Sequence, residues 1–180
     1  MKDVFTPEQI AAEAQAAYNN GDYLEAAQSY QAAEQGYRLA GDLLNAAEAA
    51  NNCCVSLLRA GQAKEALAAV KGTAEIFKQA GDVRRQAMAL GNQATALEAG
   101  KQIEAALEDY QKSADLFKQI GDNELFTSTM QALSALQLRT GRQLEALATM
   151  KAGVDKIERP GLKSRFLKKL LDIPFRLLNR

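Results

Sequence analysis

The chain has 180 residues, enough for one domain, with 22 Lys+Arg against 22 Asp+Glu and no histidine. Balanced charge points to neither a nucleic-acid binder nor a surface that seeks acidic partners. The absence of histidine removes the usual general base and the commonest metal ligand.

Thr6-Pro7-Glu8-Gln9 opens the first predicted helix. Thr6 can cap, Pro7 suits the first turn, and Gln9 stands where a capping box wants Glu or Gln. That helix should run to about Asn20, where Gly21-Asp22 closes it and caps the next. Gly-Asp recurs at Gly41-Asp42, Gly81-Asp82 and Gly121-Asp122. Eight glycines (Gly21, Gly41, Gly61, Gly81, Gly100, Gly121, Gly141 and Gly161) keep an interval of twenty residues, with Gly100 one step off. Ala-rich helical sequence fills the gaps, which predicts eight helices of about 18 residues, each about 27 Å long.

The even-numbered helices share one stripe: Ala26, Tyr30, Ala33, Tyr37; Ala66, Val70, Thr73, Phe77; Ala106, Tyr110, Ser113, Phe117; Ala146, Met150, Gly153, Ile157. The spacing i, i+4, i+7, i+11 is a single helical face. Small residues at its first and third places let neighbouring helices approach, and larger ones fill the space between layers. Cys53 and Cys54 are adjacent in the third helix, where side chains point about 100° apart, so a disulfide is not expected. They read as small core thiols in a reducing compartment, with a thiol switch or metal site as the alternative. Met1 to Phe5 carries no apolar signal run, and no stretch approaches about 18 apolar residues, so the expectation is a cytoplasmic protein without a transmembrane span.

Gly21-Asp22-Tyr23-Leu24-Glu25-Ala26, Gly61-Gln62-Ala63-Lys64-Glu65-Ala66 and Gly141-Arg142-Gln143-Leu144-Glu145-Ala146 resemble the inter-helix turn of a tetratricopeptide repeat (TPR). Gly100-Lys101-Gln102-Ile103-Glu104-Ala105-Ala106 resembles the same turn with one residue inserted, and Ala14, Cys54, Ala94 and Ser134 stand where that family places a small residue. The repeat here is 40 residues rather than the usual 34 or so, with no tryptophan opening any repeat, which is similar to the long-repeat branch of kinesin light chain and Pins/LGN. The resemblance implies an all-α fold: a right-handed α-solenoid of four antiparallel helical hairpins, at about 6–40, 41–80, 81–120 and 121–160, followed by a C-terminal amphipathic helix over 161–180.

It also implies a concave groove lined by the first helix of each pair. There the peptide-binding candidates are Gln15, Asn51, Asn52, Val55, Arg59, Asn92, Thr95, Gln131 and Arg139. Asn52 and Asn92 occupy equivalent places, and a carboxamide that both donates and accepts can hold a peptide backbone whatever its side chains. The competing reading is that these asparagines tie helices together. The chaperone-tail clamp of the family needs basic residues at places held here by Ala11, Met88 and Asn92, so such tails should not bind.

The last segment carries most of the charge asymmetry. Residues 155–180 hold eight basic and three acidic side chains, a balance of +5 against −5 for the rest. On a helical wheel Leu162, Phe166, Leu167, Leu170, Leu171, Ile173, Leu177 and Leu178 cover about half the circumference. Arg165, Phe166, Lys168, Lys169 and Arg176 are its candidates for membrane or partner docking. One reading is a helix capping the last repeat; the other is an interfacial helix on an anionic membrane.

No phosphate loop and no nucleophile–base pair is visible, so no enzyme activity, catalytic residue, metal or cofactor is expected. The sequence thus predicts a scaffold or adaptor that binds a peptide or helix of another protein and does not bind nucleic acid. A membrane-peripheral adaptor and a self-associating homodimer are the alternatives.

Overall fold

The computed structural model describes residues 5–157 and 161–178; within 161–178 the described side chains stop at Asp172 and omit 163 and 164. Ten helices occur among the described residues, and no strand. They are α1 (Pro7–Asn20), α2 (Tyr23–Leu39), α3 (Leu43–Arg59), α4 (Ala63–Val70), α5 (Thr73–Gln79), α6 (Val83–Ala99), α7 (Ile103–Gln119), α8 (Asn123–Arg139), α9 (Gln143–Asp155) and α10 (Leu162–Leu178). The architecture is all-α and repeat-like. The chain divides within α7 into two compact units, one ending at Ala106 and one starting at Leu107.

In the first unit the predicted capping box is present. Thr6 Oγ1 accepts from the Gln9 amide at 3.3 Å, and Gln9 Oε1 accepts from the Thr6 amide at 2.9 Å. α1 ends at Gly21, which sits at φ 91°. Its amide donates to the Tyr18 carbonyl (3.1 Å), and the Asp22 amide reaches the Ala17 carbonyl (2.9 Å). This paired closure satisfies carbonyls that a helix end leaves open. Gly41, Gly61 and Gly81 repeat it here, and Gly121 and Gly141 repeat it in the second unit.

Two marks on the glycine ruler behave differently. Gly100 keeps φ −80°, and Lys101 takes the left-handed position at φ 61°. The Lys101 and Gln102 amides then close the helix onto Glu98 and Leu97, as at the other turns. No residue is inserted: the turn falls on the twenty-residue mark, and a lysine occupies the place that glycine holds elsewhere. Gly161 lies outside the left-handed region and opens α10, its carbonyl accepting from the Arg165 amide at 3.0 Å.

Asp42, Asp82 and Asp122 cap their helices by accepting from the amides three residues on, at 2.9–3.1 Å. Asp22 makes no such bond. The expectation of eight equal helices fails in the second pair. Lys71 and Gly72, the latter at φ 86°, break the fourth helix into α4 and α5. Thr73 Oγ1 donates to the Val70 carbonyl (2.8 Å) across the break.

The stripe predicted for the even helices is the packed face. Ala26, Tyr30, Ala33, Tyr37, Ala66, Val70, Thr73 and Phe77 are all buried. In the second unit Ala106's successors Tyr110, Ser113 and Phe117 are buried, as are Ala146 and Gly153; Met150 and Ile157 are partly exposed. Small residues permit close approach: a β-carbon at Gly153 would stand 3.0 Å from Met130 Cβ on α8. In the first unit α1 packs on α2, α2 on α3, and α3 on α4 and α5; in the second, α8 packs on α9 and α9 on α10. The boundary expected near Pro160 lies outside the described residues.

Candidate functional site

α1 and α3 place Gln15 and Asn52 on one cleft of about 280 Å³, together with Tyr30 from α2 and Glu48 from α3. Its floor includes Ala11 and Ala49, so backbone-sized groups can come close. Gln15 is exposed. Its carbonyl oxygen accepts from the Tyr30 hydroxyl at 3.0 Å, and its amide nitrogen donates to Asn19 Oδ1 at 3.0 Å. A carboxamide offers two donor hydrogens and two lone pairs, so Gln15 keeps one of each. Asn52 is partly exposed, and no described residue takes its carboxamide. Burial raises the Tyr30 hydroxyl above its ordinary pKa, with the nearby Tyr18 and Glu48 adding to the shift, so Tyr30 remains a neutral donor to Gln15.

The other nominated residues go elsewhere. Asn51 is 6% exposed, and its Oδ1 accepts from Asn92 Nδ2 at 3.0 Å. That bond ties α3 to α6 through Asn92 and Asn51, and Asn52, the other asparagine of the predicted pair, takes no part in it. Thr95 is exposed and donates back to the Gly91 carbonyl (3.0 Å), and Val55 is partly buried. Arg59 donates to the Tyr23 hydroxyl at 3.4 Å, with its guanidinium carbon 5.4 Å from that ring's centroid. Tyr18 meets Tyr23 edge-on at 5.4 Å, which makes an aromatic–cation cluster joining α1, α2 and α3.

In the second unit Gln131 and Arg139 are exposed on α8. Gln131 borders an open polar cleft of about 570 Å³ with Glu124, Ser128 and Lys156. It also borders an apolar cleft of about 240 Å³ between α8, α9 and α10, where Leu138, Met150 and Leu167 meet. On α10, Arg165, Phe166, Lys168 and Lys169 are exposed, and Lys168 Nζ pairs with Asp155 Oδ1 at 2.9 Å. Arg176 lies outside the described side chains.

Sequence reasoning placed Tyr30 in the core and passed over Tyr23 and Glu48. A signal was present for Tyr30: tyrosine stands where the next repeat has Val70, and a hydroxyl at a packed position needs a partner.

The two cysteines are buried free thiols. Burial pushes Cys53 up to about 11 and Cys54 up to about 12, so both stay protonated and unreactive near neutral pH. Cys53 Sγ donates to the Ala27 carbonyl at 3.4 Å and packs with Ala14, Ala27 and Tyr30. Among the described residues no group of three or more acidic or cysteine side chains is placed to hold a metal. No helix among them is long and apolar enough to cross a membrane. No family model matches the chain, and no curated protein matches it.

Proposed function

We propose that this chain is a TPR-like α-solenoid that serves as a scaffold, holding an extended segment of another protein against its inner helices. The observation that carries the reading is the cleft in which Gln15 and Asn52 offer unspent amide groups over an alanine floor. A peptide unit has one donor and one acceptor, and two carboxamides can satisfy both without reading the side chains. Partner side chains would add affinity by burying the apolar surface of Ala11 and Ala12 at the cleft and of the half-buried Val55 further along α3. The reading has no chemical step, no cofactor and no metal, and it places the chain in the cytoplasm. Support for the stacked form comes from the closures repeated on the twenty-residue marks and from the stripe shared by the even helices.

The test is a peptide selected from a random display library and titrated calorimetrically against wild type, Gln15→Ala and Asn52→Ala. Loss of one amide hydrogen bond to the ligand should weaken binding about five- to tenfold in each variant. Unchanged affinity in both, with the helical spectrum intact, would contradict the reading.

A further inference from the structure

Among its described side chains the last helix carries two apolar rows, and one of them packs on the fold. Leu171 is 4% exposed, and Leu167 lines the apolar cleft against Met150 on α9. Two ion pairs clamp the same region: Lys168 to Asp155, and Lys151 to Asp172. Among the described side chains, the contact with α9 thus joins apolar packing to paired charge.

Leu162, Phe166 and Leu170 form a second row at i, i+4, i+8, centred about 140° round the helix from Leu171. They are 86%, 70% and 50% exposed. Exposed leucines elsewhere, such as Leu39 and Leu144, stand at helix ends, whereas these three make a continuous strip along one helix. Arg165 and Lys169 are exposed along one edge of the strip, within about 60° of Leu162. Asp172, the carboxylate of this helix among the described residues, is turned to Lys151.

A helix that only covered the end of a repeat array would present a polar outer face. Water leaves the strip unsatisfied, and a nucleic-acid backbone would take the cations and leave Phe166 wet. A second copy packed antiparallel on this face about a two-fold axis would bring Arg165 and Lys169 against their own likenesses. A bilayer surface supplies both needs at the right depths: an acyl boundary for the strip and anionic phosphates for the cations. We propose that the outward face of α10 docks reversibly in the plane of an anionic membrane, with Leu162, Phe166 and Leu170 inserted and Arg165 and Lys169 on lipid phosphates. The inward face stays on α9, so docking needs no unfolding of the second unit. This surface is independent of the cleft at Gln15 and Asn52, and either proposal can fail alone.

The chain has no tryptophan, so Phe166→Trp in the full chain gives a single reporter on the strip. Its emission should shift to the blue with vesicles of phosphatidylcholine and phosphatidylglycerol, and stay unshifted with phosphatidylcholine alone. Co-sedimentation of the native chain should weaken as salt rises. R165Q/K169Q and F166S/L170S should each lower binding to the anionic vesicles at least tenfold while keeping the native helical spectrum and melting temperature. R165Q/K169Q touches no packed surface and keeps the test valid if the apolar pair affects folding. The proposal is overturned if the native chain ignores anionic vesicles, if it binds neutral ones equally, or if R165Q/K169Q binds like wild type. It is equally overturned if the tryptophan shift follows protein concentration without lipid and light scattering reports a dimer.

Discussion

Lys101 bears a local strain that the neighbouring turns avoid. A non-glycine residue in the left-handed region costs about 1 kcal/mol, and glycine gives back part of that gain through its freer unfolded chain. Lys101→Gly should therefore stabilise the protein by about 0.5–1 kcal/mol, read as a higher urea midpoint at unchanged slope. Gln137 is a second local defect. It is 8% exposed on α8, and its side-chain oxygen is buried with no hydrogen-bond partner among the described residues. The same place in earlier repeats holds Leu57 and Leu97. Gln137→Leu should raise stability by about 1 kcal/mol, because it removes a desolvated acceptor and adds apolar contact; a lower melting temperature would show that the oxygen is satisfied after all. Both positions show what the sequence hides. The ruler is legible as spacing, but it marks a backbone conformation rather than a residue type, so Gly100 drew attention from Lys101. The asparagines are legible as an equivalent pair, yet Asn92 bonds Asn51 and leaves Asn52 open. Adjacent helical residues point about 100° apart, and only the rotation of α3 against α6 decides which of the two faces inward.

Among the elements, the break between α4 and α5 is the clearest departure from the sequence pattern. Val70 and Thr73 stay buried on either side, so the stripe runs through and conceals the interruption. Gly72 is needed there for its positive φ, and Gly72→Ala should cost about 1 kcal/mol or more. The caps and ties of the helices respond to acid. The Arg85 amide, donating to Asp82, holds that carboxyl below its ordinary value of 3.8, with the Arg85 guanidinium adding to the effect; Lys168 does the same to Asp155. Carboxyls with depressed folded pKa values stabilise the fold above the unfolded value and lose that contribution as pH falls through the folded one. The melting temperature should fall on acidification from about pH 5 to about pH 3, and by less in Asp82→Ala, whose starting stability is lower. An equal acid response in wild type and variant would remove Asp82 from the account. The last helix was legible as amphipathic, with its apolar half read as one surface. Among the described side chains, packing on α9 separates an inner pair, Leu167 and Leu171, from the outer row of Leu162, Phe166 and Leu170.

For the whole molecule, the repeat-like all-α class was legible because three independent signals keep one register: turn glycines every twenty residues, and capping aspartates and the buried stripe every forty. The first unit rests on a few large residues set among alanines. Phe77 is fully buried between Ala47 and Ala89, and Arg85 lies 5.1 Å over its ring while bonding Glu48 and Asp82. Phe77→Ala should cost about 3–5 kcal/mol, since alanine neighbours cannot collapse into the space left behind. A loss below about 1 kcal/mol would contradict tight packing around Phe77. The scaffold reading rests on the cleft that Gln15 of α1 and Asn52 of α3 line together. Hydrogen exchange of the full chain with and without a display-selected peptide tests it most directly. The account predicts slowed exchange along α1 and α3 around these two residues, reduced in Asn52→Ala at the same subsaturating peptide concentration. Slowed exchange confined to the second unit, with α1 and α3 unchanged, would contradict it.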